Sequence, residues 1–352
     1  MKNALKIIKR ADHLFILVLL LSLPLAGCDK DESGTTPDTG PVPCTFADDR
    51  CRARLDIGGD LMLPYYRSHP LEAGNESITM ALILVHGANR NAEWNFETGI
   101  NAMYARGDLE NMIVIAPNFQ TIDDEPERDE AYWSSNGWKK GHLSVADEYR
   151  TERISSFAAM DRIIEILKDR TLYINMEVIV VAGHSAGGQY VHRYAAGSNA
   201  DHDPGGIRFR YIVANPSTYL YLGPERATTG SLNNFQVPST VDCSDYNNWH
   251  YGLSNLNTYM SRLSLMEIRN NLTGRDVIIF VGSADTGSSM LDVSCGAMLQ
   301  GIHRYHRGLT LVNYMDQYFP EHNHTLEVLS GVGHSSRTMF TSYLGLSLIF
   351  EP

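Results

Sequence analysis

The sequence predicts an α/β protein built on a doubly wound, mostly parallel sheet, and three observations carry that prediction. Six short apolar runs recur along the chain between segments of helical period, most of them continuous and rich in Val and Ile, as strands covered on both faces should be. The third run, 178–182, leads straight into Gly183-His184-Ser185-Ala186-Gly187-Gly188 and then into Tyr190, Val191, Tyr194 and Ala195 at helical spacing. The 352 residues are 43% hydrophobic and 20% charged, which fits a globular domain and excludes a wholly disordered chain or a multi-span membrane protein.

Taken in order, residues 1–27 have the layout of a targeting segment: basic Met1–Arg10, the apolar run Leu14–Leu21, then small residues up to Leu25-Ala26-Gly27-Cys28. The apolar run is too short to read as a transmembrane helix. Leu25–Cys28 resembles the bacterial lipobox, and that resemblance implies cleavage before Cys28 and acylation of it. Two or more acyl chains hold a protein on a bilayer stably, so the expected location is a membrane surface outside the cytoplasm, at the periplasmic face or the cell surface. The leader carries four basic residues against one acid, so its loss moves the net charge from −12 to −15. Such an acidic body disfavours sequence-independent binding of nucleic acid, which needs clustered Lys and Arg.

Residues 28–43 combine the lipid attachment with a stretch rich in Asp, Gly, Thr and Pro, read as a flexible tether. Residues 44–352 are then a single catalytic-sized domain. Cys44, Cys51, Cys243 and Cys295 remain in an oxidising setting. Of their three possible pairings, Cys44–Cys51 and Cys243–Cys295 are favoured: the first closes a short loop and the second braces an insertion described below. Neither a C-x₂-C pair nor a matching Cys/His cluster supports a metal site.

The six runs are 80–85, 112–116, 178–182, 211–214, 277–281 and 326–329. Between the second and third, Ser144-Val145-Ala146-Asp147 has the form of a capping box, with Ile154, Phe157, Met160, Ile164 and Leu167 as the inner face of the helix it would start. Doubly wound sheets place their chemistry beyond the carboxyl ends of the strands.

At one such end, strand, G-x-S-x-G and helix follow in sequence, the context of a nucleophile elbow. Ser185 is the candidate nucleophile, and Ala186 N–H, at the helix start, is a candidate oxyanion donor. A serine hydroxyl needs a base, and the base an orienting carboxylate. Asp285 follows the run 277–281 and His334 follows 326–329, so loops at the same end of the sheet would deliver both. Asp276 precedes its strand and Asp292 is the second choice of acid. His303, His306, His322 and His324 read as surface or loop residues, since no carboxylate at metal-site spacing accompanies His303-x-x-His306. After 82–85, His86-Gly87-Ala88-Asn89 supplies the second oxyanion donor, Ala88 N–H, with Asn89 as alternate; His86 is expected to pack beneath that loop.

His86-Gly87, Gly183–Gly187, Asp285 and His334 appear in the order of the α/β-hydrolase superfamily, which the chain resembles from about residue 52 to 352. The finer resemblance is to secreted esterases and to polyester-depolymerase or feruloyl-esterase relatives. It implies a serine-dependent carboxylic ester hydrolase working through an acyl-enzyme, without metal or organic cofactor. The same constellation cleaves amides, so a serine peptidase is the enzymatic rival. A non-catalytic surface-binding lipoprotein is the other.

On that fold an aromatic-rich insertion of about 217–265 falls between the sixth and seventh strands. It reads evenly as a cap lining an acyl or aryl pocket or as a segment with its own small core. Tyr219, Tyr221, Trp249 and Tyr251, together with Trp133 in the segment 132–138, are the pocket candidates. The substrate expected is a neutral small-molecule or polymer-derived ester. The acidic run 123–127 reads as a solvated loop.

Overall fold

The computed structural model describes residues 42–351 apart from 108, 200, 203, 204, 240 and 242. The leader, Cys28 and nearly all of the tether lie outside the described residues. The strands are β1 (Arg52–Asp56), β2 (Met62–Arg67), β3 (Met80–Val85), β4 (Met112–Pro117), β5 (Val178–His184), β6 (Arg208–Ala214), the two-residue β7 (Arg226–Ala227) and β8 (Phe235–Gln236), β9 (Asp276–Gly282) and β10 (His324–Leu329). The helices are α1 (Ala92–Arg106), α2 (Ser156–Lys168), α3 (Ala186–Gly197), α4 (Leu265–Gly274), α5 (Cys295–Met298), α6 (Arg304–Tyr318), α7 (Ser336–Thr341) and α8 (Tyr343–Phe350). Eight strands form one sheet in the order β1-β2-β4-β3-β5-β6-β9-β10. All neighbours from β4 to β10 run parallel, while β1 and β2 are an antiparallel edge.

Each of the six apolar runs is a strand of this sheet, and the alternation within them sorts side chains to two faces. Ala81, Ile83, Val85, Val181, Val213 and Ile279 belong to one core with α2, α3, α4 and α6; Leu82, Leu84, Val180, Ile212 and Phe280 belong to the other with α1, α7 and α8. Strands buried on both faces need no polar positions, hence the continuous runs of β3, β4, β5, β6 and β9; β10, at the sheet edge, carries Glu327 and is only partly buried. β1 and β2 were not among the runs. RARLD and MLPYYR carry polar residues and a proline, as edge strands do.

The helix expected from Ser144 begins eleven residues later. Ser144 and Ile154 pair as extended backbone: Ser144 N–H donates to Ile154 O at 2.8 Å, and Ile154 N–H to Ser144 Oγ at 3.0 Å. Ser144 Oγ is thus taken by Ile154 N–H, and Asp147 accepts from Tyr149 and Arg150 N–H, so neither caps a helix at 144. Ser155 is the cap, accepting from Phe157 N–H at 3.1 Å. Phe157, Met160, Ile164 and Leu167 do form the buried face, joined by Ile163 and Ile166, and Ile154 packs against the same core from outside the helix.

Cys44 is bonded to Cys51 and Cys243 to Cys295. The second bridge ties the insertion to the first residue of α5, beyond the loop that carries Asp285. Among the described residues no helix is long and apolar enough to cross a membrane.

Two outcomes follow from this packing. Phe157 sits edge-on to Tyr190, Tyr194 and Tyr259 at 4.9, 5.5 and 5.3 Å between centroids. Phe157→Ala should therefore cost roughly 3–5 kcal/mol of stability, read from the denaturant midpoint; a loss within the scatter of surface substitutions would contradict the packing. Peptide mapping without reductant should find the 44–51 and 243–295 bridges, and free thiols at either pair would refute that bridge.

Candidate active site

β5 ends at His184, and the chain reverses through Ser185 at φ +60° and ψ −116° before α3 begins at Ala186. A positive φ at a residue with a Cβ is strained and persists only where its surroundings hold it. Three glycines make that possible by letting the first turn of α3 press against strand ends. A Cβ on Gly183 would lie 2.5 Å from the Gly187 carbonyl, one on Gly188 would lie 2.7 Å from the Ala214 carbonyl oxygen, and one on Gly187 would collide with the carbonyls of Val85 and His86. Ser185 N–H donates to Ala214 O at 2.9 Å, which anchors the turn to β6. Ala186 N–H, first of the helix, has no acceptor within its own helix.

Asp285 and His334 arrive from the loops after β9 and β10. His334 Nδ1 lies 2.6 Å from Asp285 Oδ2; the carboxylate is 2% exposed and the imidazole 30%. The two loops hold each other: Ala284 N–H donates to Val332 O at 2.9 Å, and Gly331 N–H to Ser283 Oγ at 2.8 Å.

The other Asp285 oxygen faces a residue that sequence reasoning missed. Arg304, at the start of α6 and almost fully buried, places Nη1 3.5 Å from Asp285 Oδ1 and donates Nη2–H to Ser289 O at 2.8 Å. Burial lowers the guanidinium pKa while Asp285 opposes that shift. No motif announces this arginine, because the ion pair spans 19 residues and two elements.

Beneath His334 lies His184, the variable residue of the elbow, with ring centroids 4.3 Å apart. Burial first, and the neighbouring His334 and Arg304 next, push its pKa well down, so it stays neutral. Asn215, at φ +43°, donates Nδ2–H towards His184 Nε2 at 3.4 Å and accepts Gly282 N–H at 2.8 Å. It thereby links the ends of β5, β6 and β9.

The loop after β3 passes beside the serine: a Cβ on Gly87 would come 4.0 Å from Ser185 Cβ. His86 is fully buried beneath it, as its place in the turn suggested. Its Nε2 accepts Phe119 N–H at 2.9 Å, so the ring proton is on Nδ1 and is donated to Gly87 O at 2.9 Å. Gly87 O also accepts Arg90 N–H at 3.1 Å. Because N–H and C=O point opposite ways across a trans peptide, fixing this carbonyl fixes the direction of Ala88 N–H. Arg90 Nη1–H donates to Ala88 O at 3.0 Å and its Nε–H to Asp124 at 2.5 Å. Asp124 is thus part of the loop's support, which corrects the reading of 123–127 as merely solvated.

Ser185, Asp285, His334, Gly87, Ala88 and Asn89 share a cleft of about 800 Å³. The pocket candidates lie elsewhere. Trp133, Tyr219 and Tyr221 are fully buried in the body. Trp249 donates its indole N–H to Lys140 O at 2.9 Å, and Tyr251 its hydroxyl to Asp292 at 2.7 Å. The aromatics of the insertion therefore pack against the body, and the apolar lining of the cleft comes instead from Trp94 of α1 and Met290, 67% and 73% exposed.

The rivals also find places. Asp276 pairs with Arg210 at 2.8 Å at the far end of its strand, and Asp292 serves Tyr251. His303 caps α6, accepting His306 N–H at 3.1 Å, and His322 bonds Asp316 at 2.9 Å. His324 is buried at the start of β10, not at the surface, because it faces His192 across the core.

No family model matches the sequence, and no curated protein matches it. Among solved structures the chain is similar to poly(aspartic acid) hydrolase-1 from Sphingomonas sp. KT-1, at TM-score 0.59 and 23% identity over 85% of this chain and 98% of that one. It is likewise similar to a poly(3-hydroxybutyrate) depolymerase from Bordetella parapertussis, at TM-score 0.59 and 20% identity over 85% of this chain and 90% of that one. The sheet order and these likenesses define the fold as that of the α/β-hydrolases.

The neutral histidines set an acid limit. Burial holds His86 down to about 4 and His324 to about 3, and lowers His184 and His192 too. Their stabilising contribution is complete above the unfolded histidine pKa of about 6.5 and is lost as pH falls below it, since only the unfolded chain then takes up the protons. His86 alone should account for roughly 3 kcal/mol between pH of about 6.5 and 4. Denaturant midpoints measured across that window should fall; a flat profile would contradict the burial of these rings.

Proposed function

We propose that the protein is a serine-dependent carboxylic ester hydrolase that works through an acyl-enzyme. Ser185 Oγ attacks the ester carbonyl carbon while His334 takes its proton, and Asp285 keeps the imidazole in the tautomer with Nδ1–H. Negative charge developing on the carbonyl oxygen is received by the N–H groups of Ala88 and Ala186. Collapse breaks the bond to the alcohol, to which His334 returns the proton. Water then repeats the sequence on the acyl-serine and releases the acid. None of these steps requires a metal or organic cofactor.

The observation that best supports this reading is the buried Asp285 carboxylate bonded to His334 Nδ1 at 2.6 Å, beside a serine held at positive φ between a strand and a helix. Trp94 and Met290 favour an ester whose acyl or alcohol part is apolar and long enough to lie along an open cleft. Both neighbours are named for hydrolysis of a polymer, and the poly(3-hydroxybutyrate) depolymerase, named for a polyester, supports a polymer-derived ester as substrate, whereas poly(aspartic acid) is a polyamide and bears on the amide rival. Cys28, the leader and the two disulfides support export and a lipid anchor facing outside the cytoplasm.

Short p-nitrophenyl esters and a phosphonate probe test the proposal directly. The protein should hydrolyse the esters and carry the phosphonate on Ser185, and Ser185→Ala should lose on the order of 10⁴–10⁶ in kcat. A folded protein that neither turns over nor labels would refute it. Ester and amide versions of one acyl group, compared side by side, exclude the peptidase if the ester is strongly preferred.

For the substrate, kcat/KM across acetyl, butyryl, octanoyl and feruloyl esters should favour the longer acyl groups. Trp94→Ala and Met290→Ala should narrow that preference, whereas Trp249→Ala should leave it unchanged. A preference for acetyl that ignores Trp94 would remove the cleft's apolar lining from the account.

A further inference from the structure

The domain is acidic, yet its scarce lysines are concentrated in one place. Residues 42–351 contain only Lys139, Lys140 and Lys168. Lys139 and Lys140 stand together in the turn before α2, each partly exposed, at a seam with α3 and the insertion. The seam is closed by main-chain acceptors of that turn. Arg193 Nη1–H donates to Lys139 O at 3.2 Å, and Trp249 Nε1–H and Asn257 Nδ2–H donate to Lys140 O at 2.9 and 2.7 Å.

Fully buried Arg193 lies behind the lysines and fully buried Arg307 beside Asp292, and among the described residues neither forms an ion pair with a carboxylate. Arg193 donates to His250 O, Lys139 O, Gln189 Oε1 and Thr218 Oγ1; Arg307 donates to the carbonyls of Gly301, Ser217 and Asp292 and to Met298 Sδ. His142 and His250 complete the surroundings, both kept neutral by burial and by these cations. Among the described residues the one carboxylate acting on Lys139 and Lys140 is Asp292, whose oxygens already accept Tyr251 O–H at 2.7 Å and Ser294 N–H at 3.0 Å. Among the described residues neither lysine ammonium has an acceptor of its own. Burial and Arg193 lower both lysines to about 8, still protonated at neutral pH.

Among the described residues these cations therefore share one carboxylate, Asp292, in a body whose other charges are mostly negative. Buried charge without a partner is costly, and a doubly charged oxyanion seated on the two ammonium groups would offset it through charge-assisted hydrogen bonds. We propose that Lys139 and Lys140, backed by Arg193, form a binding site for a phosphate-class oxyanion at the seam between the body and the insertion. The site is separate from the hydrolase cleft, none of whose lining it shares. It does not depend on the ester-hydrolase reading. The arginine supplies field and not contact, because its N–H groups are occupied; the lysines, as compact and mobile point charges, make the contacts.

Calorimetric titration of the full-length protein with inorganic phosphate, and separately with glycerol 3-phosphate, tests the site and distinguishes a free anion from a phosphate ester. At least one should bind saturably at one site per chain and remain bound in about 0.15 M NaCl, where non-specific surface attraction is largely screened. Lys139→Met and Lys140→Met, which keep an apolar stem, should each weaken binding about tenfold, while Lys168→Met leaves it unchanged. Absence of saturable binding in the unaltered protein, or binding that survives both substitutions, would overturn the proposal whether or not the protein hydrolyses esters.

Discussion

The close approach of one helix to three strand ends is the constraint on which the cleft depends. β3, β5 and β6 are adjacent and in register, with Val85 opposite Gly183 and His184 opposite Ala214, so their carboxyl ends are level. The first turn of α3 sits on those ends, in contact with the carbonyls of Val85 and Ala214. Only glycine at 183, 187 and 188 leaves space for it. The strained φ of Ser185 is the price of that approach, and the bond from Ser185 N–H to Ala214 O helps hold the turn in place. Because the helix start, the loop after β3 and the loops after β9 and β10 all meet at this level, Ser185, Ala88 and His334 share one cleft.

Charge around the cleft is managed by burial and pairing. Asp285 is buried with both oxygens engaged, one by His334 and one by Arg304, so an otherwise costly carboxylate has partners on two sides. His184 and His86, equally buried, are kept neutral and act as hydrogen-bonding spacers. His86 fixes the peptide that presents Ala88 N–H, and Arg90 and Asp124 brace it from outside. The imidazole that opens to solvent is His334.

The insertion contributes to the body of the molecule and not to the cleft wall. Tyr219 and Tyr221 are drawn inward against α3 and α6, Trp249 bonds the turn before α2, and Cys243 is bonded to Cys295. These contacts hold the insertion in place, and the apolar surface facing substrate falls to α1 and to the loop after Asp285.

What the sequence determined by itself was whatever rests on short-range pattern. Continuous apolar runs named five of the eight strands of the main sheet, since burial on both faces leaves a local signature, the shorter run 326–329 named the edge strand β10, and G-x-S-x-G between a strand and a helix located Ser185. Chain order then pointed to Asp285 and His334. Tertiary structure decided what depends on residues far apart in the chain meeting. Ser144 Oγ is taken by Ile154 N–H, ten residues on, and so does not cap a helix. Arg304 reaches Asp285, and Arg90 reaches Asp124, through contacts that no spacing encodes. An aromatic residue looks the same in a sequence whether it lines a pocket or fills a core, so the roles of Trp249 and Trp94 separated only once the packing around each was known.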